Sequence, residues 1–142
     1  MGYIKIWVHL VWTTKNRNAI LTREIRKDIF SHIKENAKTK GIYIDFINGY
    51  LEHVHCLVSL GSGQTIDKIV MLLKGESSYW INKNKICSTK FAWQEEYFAV
   101  SVSESMVNRV RDYIKNQEDH HRKRTFDEEY KEFIQKYGFE VF

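Results

Sequence analysis

The 142-residue chain has no proline, only two cysteines and no long apolar run. Cys56 and Cys87 are too few and too far apart for a disulfide framework or a paired-cysteine zinc site, and Cys56 is predicted to be a small core residue. No apolar stretch approaches the ~20 residues of a membrane span, and the N-terminus lacks the pattern of a signal peptide. We therefore expect a cytoplasmic protein with no membrane partner.

The composition is that of a folded protein with a net positive charge. Hydrophobic residues make up 43% of the chain, charged residues 28% and aromatic residues 14%. The length predicts a single domain over residues 1–142 that buries its own core. A net charge of +4 is compatible with a polyanion partner, but many soluble proteins carry such an excess, so it favours nucleic acid only slightly.

Residues 51–60 are the most informative stretch, because two histidines stand one residue apart within an apolar, β-prone run. Side chains alternate along a strand, so His53 and His55 are expected to share one face with Leu57. Two neutral imidazoles held side by side form half of a divalent-metal site. The alternative, from these residues alone, is a pair of partly buried histidines satisfied by their neighbours.

The apolar periodicity around this stretch predicts alternating strands and helices. Strands are predicted at 3–14, 42–50, 51–60 and 97–102, and helices at about 22–40, from 65 past 80, from 103 or 105 to about 120, and at 125–137. The second and third strands should form a hairpin, because their connection is short. The last helix is expected to dock on the protein through apolar residues at helical spacing, namely Phe126, Tyr130, Phe133, Ile134 and Tyr137.

Basic residues follow the first strand and the third helix. Lys15 and Arg17 lie in a polar segment at the strand end, where they could hold phosphates or belong to a solvated loop. Arg122, Lys123 and Arg124 form a contiguous cluster after two histidines. These five residues are candidates for contact with a polyanion.

A glycine inside the second helix marks a further candidate site. Glycine costs ~1 kcal/mol in a helix interior, so Gly75 predicts either that the helix breaks or that a ligand approaches its backbone closely. In the second case Lys74, Ser77 and Ser78 would contact a phosphate or a base.

The third helix offers the other half of a metal site. Tyr113 and Gln117 are four residues apart, which places them one turn apart on the same face. The amide oxygen of Gln117 could join His53 and His55 around Mg²⁺ or Mn²⁺. Tyr113 would then be able to attack a phosphorus atom whose oxygens the metal has polarised. Taken alone, a tyrosine and a glutamine at this spacing are most often surface or packing residues.

Together these residues resemble the single-tyrosine HUH transposases of the smallest bacterial insertion sequences and their REP-associated relatives. The resemblance covers nearly the whole chain, and the motifs stand in the family's order. They are Thr13-Thr14-Lys15-Asn16-Arg17, His53-Val54-His55, Lys74-Gly75-Glu76-Ser77-Ser78, the stretch 93–101, Tyr113-Ile114-Lys115-Asn116-Gln117 and the stretch 116–121. Glu52 stands where an acidic residue commonly precedes the first histidine.

The resemblance implies an α+β fold with a ferredoxin-like or RRM-like antiparallel sheet of four to five strands, packed helices and a C-terminal catalytic helix. It also implies a DNA transposase that cuts and rejoins single-stranded DNA at hairpin-marked element ends. His53, His55 and Gln117 would bind Mg²⁺ or Mn²⁺, and Tyr113 would form a 5′-phosphotyrosine and free a 3′-OH. The predicted DNA contacts are Lys15, Arg17, Lys74, Ser77, Ser78, Arg122, Lys123 and Arg124.

The resemblance further implies a homodimer in which the tyrosine helix of one subunit completes the metal site of the other. We expect a mobile-element transposase rather than a domesticated REP-processing relative, because the sequence has no long C-terminal extension.

Two other functions account for part of the sequence. A non-catalytic RRM-like module that stacks Tyr and Trp on single-stranded bases would explain the basic charge and the aromatic residues. It would not explain two histidines on the open face of the central strand. A replication initiator or relaxase-type nickase with the same chemistry would ordinarily need further domains.

Overall fold

The computed structural model describes residues 2–137, in which four strands form an antiparallel sheet with the order β2-β3-β1-β4. The strands are β1 (Trp7–Thr13), β2 (Tyr43–Gly49), β3 (His53–Ser59) and β4 (Phe98–Val102). The helices are α1 (Arg23–Thr39), α2 (Ile66–Lys83), α3 (Val107–Lys115), α4 (Gln117–Lys123) and α5 (Phe126–Tyr137). The predicted α+β class and antiparallel sheet are confirmed. Within residues 2–137 no helix has the length and apolarity to cross a membrane.

One face of the sheet is apolar and packs against α1 and α2. Alternate residues of the two central strands point to this side and are buried, namely Val8, Leu10, Trp12, Val54, Cys56 and Val58. The predicted stripe of α1 meets them with Ile29, Ile33 and Ala37, and α2 adds Ile69, Val70 and Leu73. Burying a Val, Leu or Ile side chain contributes roughly 1.5–3 kcal/mol, so this layer fixes β1 and β3 at the centre of the sheet.

The opposite face carries the two histidines of β3, as the alternation predicted. The register of β1 and β3 pairs Thr13 with His53 and Val11 with His55. This face was expected to be open, but both histidine side chains are wholly buried. The buried residues that cover it are Val107 and Ile114 of α3 and Phe126 of α5. The histidines therefore lie between the sheet and the C-terminal helices.

The hairpin of β2 and β3 holds the backbone of His53 in place. The amide of Tyr50 donates a hydrogen bond to the carbonyl oxygen of His53, at 3.1 Å. A Cβ atom on Gly49 would lie only 2.1 Å from that same oxygen. Only glycine fits there without a shift of the backbone, so the close approach of β2 to His53 depends on the absence of a side chain.

The first strand is shorter than predicted. It begins at Trp7 rather than at residue 3, because Trp7 pairs with Ser59, the last residue of β3, and residues 3–6 extend beyond that partner. At the other end of the chain, α5 docks through Phe126 as predicted, and Tyr130 packs partly buried beside it. The side chains of Phe133, Ile134 and Tyr137, which were predicted to dock as well, lie outside the described residues.

The helix predicted to run to about residue 120 is two helices, with Asn116 between them. Asparagine competes with the helix by forming local hydrogen bonds, and the φ and ψ of Asn116 are −97° and 30°. The side chain of Asn48 on β2 donates to the carbonyls of Ile114 at 3.0 Å and Lys115 at 3.1 Å. These bonds satisfy carbonyls that the end of α3 leaves unpaired, so the break is fixed against the sheet.

Candidate active site

Four potential ligand atoms converge where β3 meets α4 and α5. The amide oxygen Oε1 of Gln117 lies 3.0 Å from Nε2 of His53. A carboxylate oxygen of Glu129, Oε1, lies 3.1 Å from Nε2 of His55 and 3.7 Å from Nε2 of His53. All four side chains are wholly buried. The chain thus brings together the two histidines and the glutamine predicted from the sequence, and adds Glu129.

The spacing of these atoms fits one divalent ion. Ligands about 2.1 Å from an ion are separated by about 3.0 Å at the edges of an octahedron and by about 3.4 Å in a tetrahedron. The distances from Gln117 to His53, from Glu129 to His55 and from Glu129 to His53 are 3.0, 3.1 and 3.7 Å, and the ligand atoms of His53, His55 and Glu129 all lie within 4.8 Å of one another. Two imidazole nitrogens and two oxygens therefore form a donor set that suits a divalent cation.

Both histidines have partners that orient their rings. Nδ1 of His53 lies 2.6 Å from Oε1 of Glu52, which accepts a hydrogen bond from it, and this contact turns Nε2 toward Gln117. Nδ1 of His55 lies 2.9 Å from Nε2 of His9 on β1. Burial lowers the pKa of His55 to about 4, and burial together with the nearby His55 lowers the pKa of His9 to about 3. His55 and His9 are therefore neutral at neutral pH, as a metal ligand and its support must be.

Tyr113 reaches the same place from α3. Its hydroxyl donates a hydrogen bond to Oε2 of Glu129 at 2.7 Å, and its ring lies edge-on to His55 with the centroids 5.6 Å apart. Burial and then the charge of Glu129 raise the pKa of Tyr113 above its ordinary value. The phenol therefore carries its proton in this arrangement.

Gln117 is oriented by the break between α3 and α4. As the first residue of α4 it donates from Nε2 to the backbone carbonyl of Tyr113 at 3.2 Å, which leaves Oε1 directed at His53. Both residues contact the histidines of their own chain. The predicted exchange of tyrosine helices between subunits is therefore not needed to bring the four groups together.

Glu129 is surrounded by cationic and imidazole groups. Its Oε2 lies 3.3 Å from Nε2 of His121, 3.8 Å from Nη2 of Arg124 and 3.9 Å from Nε2 of His120. Burial alone would raise the pKa of Glu129, but the adjacent side chains of His121, His55 and His53 hold that pKa well below its usual range. The carboxylate is therefore ionised inside the protein.

Arg17 lies against α5 rather than in an open loop. Its guanidinium group stacks on Tyr130 at 4.6 Å and on Phe126 at 5.3 Å, and it forms an ion pair with Asp127. Its neighbour Lys15 is exposed. The two cations predicted to contact DNA thus differ in their surroundings, and Arg17 already has an anionic partner.

The second helix does not break at Gly75, and no atom of the described chain outside its own helix lies within 4 Å of the place where a Cβ would be. Lys74 donates to the backbone carbonyls of Gln94, Glu95 and Glu96. Burial lowers the pKa of Lys74. The structure therefore uses this lysine to anchor the loop before β4.

The two serines that follow also contact that loop. Ser77 is buried, donates to the carbonyl of Leu73 at 2.6 Å and accepts from Nε1 of Trp93 at 2.8 Å. The hydroxyl of Ser78 lies 3.5 Å from the carbonyl of Phe91. Ser77 thus lies in the core in this conformation, while Ser78 is half-buried beside exposed Gly75.

The basic cluster at the end of α4 is divided between the site and the surface. Arg124 pairs with Glu132 and faces Glu129, whereas Arg122 is exposed and pairs with Asp119 at 2.9 Å. Lys123 is exposed. Arg124 therefore belongs to the surroundings of the buried carboxylate, and the other two face solvent.

Two residues of the site were missed by sequence reasoning, His9 and Glu129. His9 had a signal, since the alternation of β1 places it on the same side as Thr13, but the register that brings it to His55 depends on strand pairing. Glu129 stands three residues after Phe126 and so falls on the apolar stripe of α5. An acidic residue in a stripe that docks is the signal that could have found it.

The site joins a pair of oriented imidazoles, two oxygen ligands and a tyrosine hydroxyl, which is a set of groups suited to metal-assisted attack on a phosphate. Comparison with known proteins gives the family. Residues 3–117 match the family described as "Transposase IS200 like", and the chain belongs to it. It is accordingly a member of a class of DNA transposases, enzymes that cut DNA and transfer strands.

Individual relatives agree with this assignment. The chain is 28% identical over 125 residues to the ISDra2 transposase TnpA of Deinococcus radiodurans, covering 83% of this chain and 89% of that protein. A crystal structure described as a transposase from Deinococcus radiodurans R1 matches with a TM-score of 0.65 and 25% identity, over 82% of this chain and 95% of the other. A REP-associated tyrosine transposase bound to a REP hairpin shares the fold, with a TM-score of 0.63, 20% identity and coverage of 85% and 72%.

Proposed function

We propose that this transposase cuts and rejoins single-stranded DNA at hairpin-marked element ends through a 5′-phosphotyrosine on Tyr113. We also propose that His53, His55 and Gln117 bind the divalent metal, Mg²⁺ or Mn²⁺. One observation carries the proposal: the tyrosine hydroxyl and the ligand atoms of both histidines contact the same buried carboxylate, that of Glu129. A nucleophile and a metal site separated by a single carboxylate can act on one phosphate group.

The residues present account for both halves of the reaction. In cleavage, the Tyr113 oxygen forms a bond to phosphorus and loses its proton, while the bond from phosphorus to the 3′ oxygen breaks and that oxygen takes up a proton. A divalent ion bound at the site would offset charge on the phosphate oxygens during this step. In joining, a different 3′-OH attacks the phosphotyrosine and the phenol is released. The number of phosphoester bonds is unchanged, so no ATP is needed.

The proposed substrate rests on charge and on a structural relative. A tyrosine transposase with the same fold is bound to a REP hairpin, which supports a DNA hairpin for this chain. The net charge of +4 favours a polyanion. The proposed phosphate contacts include three exposed cations, Lys15, Arg122 and Lys123, which lie close in sequence to the elements that form the site.

The proposal is tested with labelled DNA taken from the sequence flanking the gene. A single-stranded oligonucleotide that carries an imperfect palindrome and its flank should form a covalent adduct with the protein in Mg²⁺ or Mn²⁺, seen as a shifted band on a denaturing gel. The fully paired duplex of the same sequence and a single strand with a scrambled palindrome are the controls. Equal attachment to the duplex, or no attachment to any hairpin strand, would contradict the proposed function.

We further propose a homodimer that shares its active sites by exchanging the helices that carry Tyr113. In the single chain the tyrosine lies beside its own histidines, so sharing would require α3 and the helices after it to move to the partner. A moving tyrosine helix would suit the reaction, because the enzyme must hold one DNA end covalently and present it to another strand.

Mixed dimers of two inactive variants test this arrangement. In a heterodimer of Tyr113→Phe and His53→Ala chains, shared sites leave one site whole, so part of the cleavage should return. If each site used one chain alone, both sites would carry a defect and no cleavage would appear. The heterodimer is isolated with two different affinity tags, and each homodimer serves as a blank. An inactive but confirmed heterodimer would refute shared sites without refuting the dimer.

A further inference from the structure

We infer that Glu129 is a ligand of the divalent metal and the residue that positions Tyr113 beside it, which makes α5 part of the active site. The inference rests on the proposed function. Glu129 lies beyond the matched residues 3–117, so the family assignment does not extend to it.

The two oxygens of this carboxylate face the two halves of the site. Oε1 lies 3.1 Å from Nε2 of His55 and 3.7 Å from Nε2 of His53, which are ligand-to-ligand distances. Oε2 accepts the hydrogen bond of the Tyr113 hydroxyl at 2.7 Å. One carboxylate could thus bind a metal ion through Oε1 and hold the nucleophile through Oε2.

Burial also argues for a bound cation. An ionised carboxylate in the interior is costly unless charges and hydrogen bonds compensate it. The side chain of Glu129 is wholly buried, and Nε2 of His55 and Nε2 of His121 lie 3.1 and 3.3 Å from its two oxygens. The guanidinium group of Arg124 is farther away, with Nη2 3.8 Å from Oε2. A divalent ion between Oε1 and the histidines would place a positive charge directly against the carboxylate.

The position of Glu129 is held by the rest of α5. Phe126, one turn earlier, stacks on the ring of His53 with the centroids 4.4 Å apart. The hydroxyl of Thr125 accepts from the backbone N–H of Glu128 at 3.3 Å and so caps the first turn of the helix. The ion pair of Asp127 with Arg17 ties the same turn to the end of β1. Glu129 is therefore presented by a fixed helix and not by a loose tail.

Glu129 adds negative charge to the proposed set of metal ligands. Two neutral imidazoles and an amide oxygen carry no charge, so they attract a hard cation weakly. Glu129 supplies a charged oxygen. A divalent ion held by His53, His55, Gln117 and Glu129 would still be able to bind phosphate oxygens and water.

Mn²⁺ binding to the metal-free protein, measured by electron paramagnetic resonance of the unbound ion, tests the inference without any DNA reaction. Glu129→Gln keeps the shape of the side chain and removes its charge, and it should weaken Mn²⁺ binding at least about tenfold. Glu128→Gln removes the same charge from the adjacent, exposed position and should bind as wild type does. His53→Ala should lose binding as well.

The outcomes separate this inference from the proposed function. If Glu129→Gln binds Mn²⁺ like wild type while His53→Ala does not, Glu129 is no ligand and the histidine site stands. If the wild-type protein itself binds no Mn²⁺, the proposed metal site and this inference are both refuted.

A second measurement does not depend on whether the variants fold. In wild-type protein made with ¹³C-carboxyl glutamate, coordination should give a ¹³C hyperfine coupling to bound Mn²⁺. Its absence would overturn the assignment of Glu129 as a ligand.

Discussion

Tyr113→Phe is expected to abolish covalent attachment of the protein to single-stranded DNA while hairpin binding stays nearly unchanged. The substitution removes one hydroxyl group, which donates a hydrogen bond to Glu129. The ring remains, and it packs edge-on against His55 and His120 at centroid distances of 5.6 and 4.6 Å. Loss of a covalent nucleophile lowers such rates by at least about 10⁴-fold, whereas the fold and the basic surface do not change.

The measurement is a denaturing gel of protein with end-labelled DNA, together with fluorescence anisotropy for hairpin affinity. Tyr97→Phe is the matched control, because Tyr97 stands just before β4 and is partly exposed at 36%. It should keep the adduct. An adduct that survives Tyr113→Phe would place the nucleophile elsewhere, and Tyr97 and Tyr130 would be the next tyrosines to replace.

His53→Ala and His55→Ala are each expected to reduce cleavage to the level that remains when the wild type is treated with excess chelator. Either change removes a proposed Nε2 ligand together with its contact to the buried oxygen of Gln117 or of Glu129. Gln117→Ala should have a smaller effect, because both histidines and the carboxylate remain. Added Mg²⁺ or Mn²⁺ should restore the chelated wild type but not the histidine variants.

A histidine outside the site provides the control for lost packing. His32 lies between α1 and α2, where its Nε2 is 2.6 Å from Glu76 and its ring stacks on Trp80. His32→Ala should therefore cost stability, measured by thermal unfolding, while cleavage by the folded protein persists. Full cleavage by the wild type in excess chelator would refute the metal site on β3.

The local part of the site could be predicted from the sequence because it depends on short-range periodicity. The alternation of β3 correctly placed His53 and His55 on one face, and Tyr113 and Gln117 lie near them as the sequence hypothesis expected, although on two helices rather than one. The break at Asn116 was missed, since the bonds from Asn48 that fix it come from a distant strand. The local sequence pattern around Asn116 does not predict contacts with a distant strand.

The remaining part depends on how distant elements pack. His9 reaches His55 only through the pairing of β1 with β3, and Glu129 enters on a helix twelve residues after Gln117. The resemblance supplied the family and the expected metal ligands, but its motifs end at residue 121. The docked helix at 125–137 was predicted from its apolar spacing, whereas the carboxylate that it brings to the histidines was not.

Gly49, the last residue of β2, is a position where a substitution would reach the site through the backbone. Any side chain at Gly49 would displace the carbonyl of His53, whose ring is a proposed ligand, so a change there moves the metal site without altering one of its residues. Gly75 has open space around it, and alanine there would add ~1 kcal/mol of helix propensity. We therefore expect position 75 to accept alanine, whereas any residue larger than glycine at position 49 should disturb the backbone of His53.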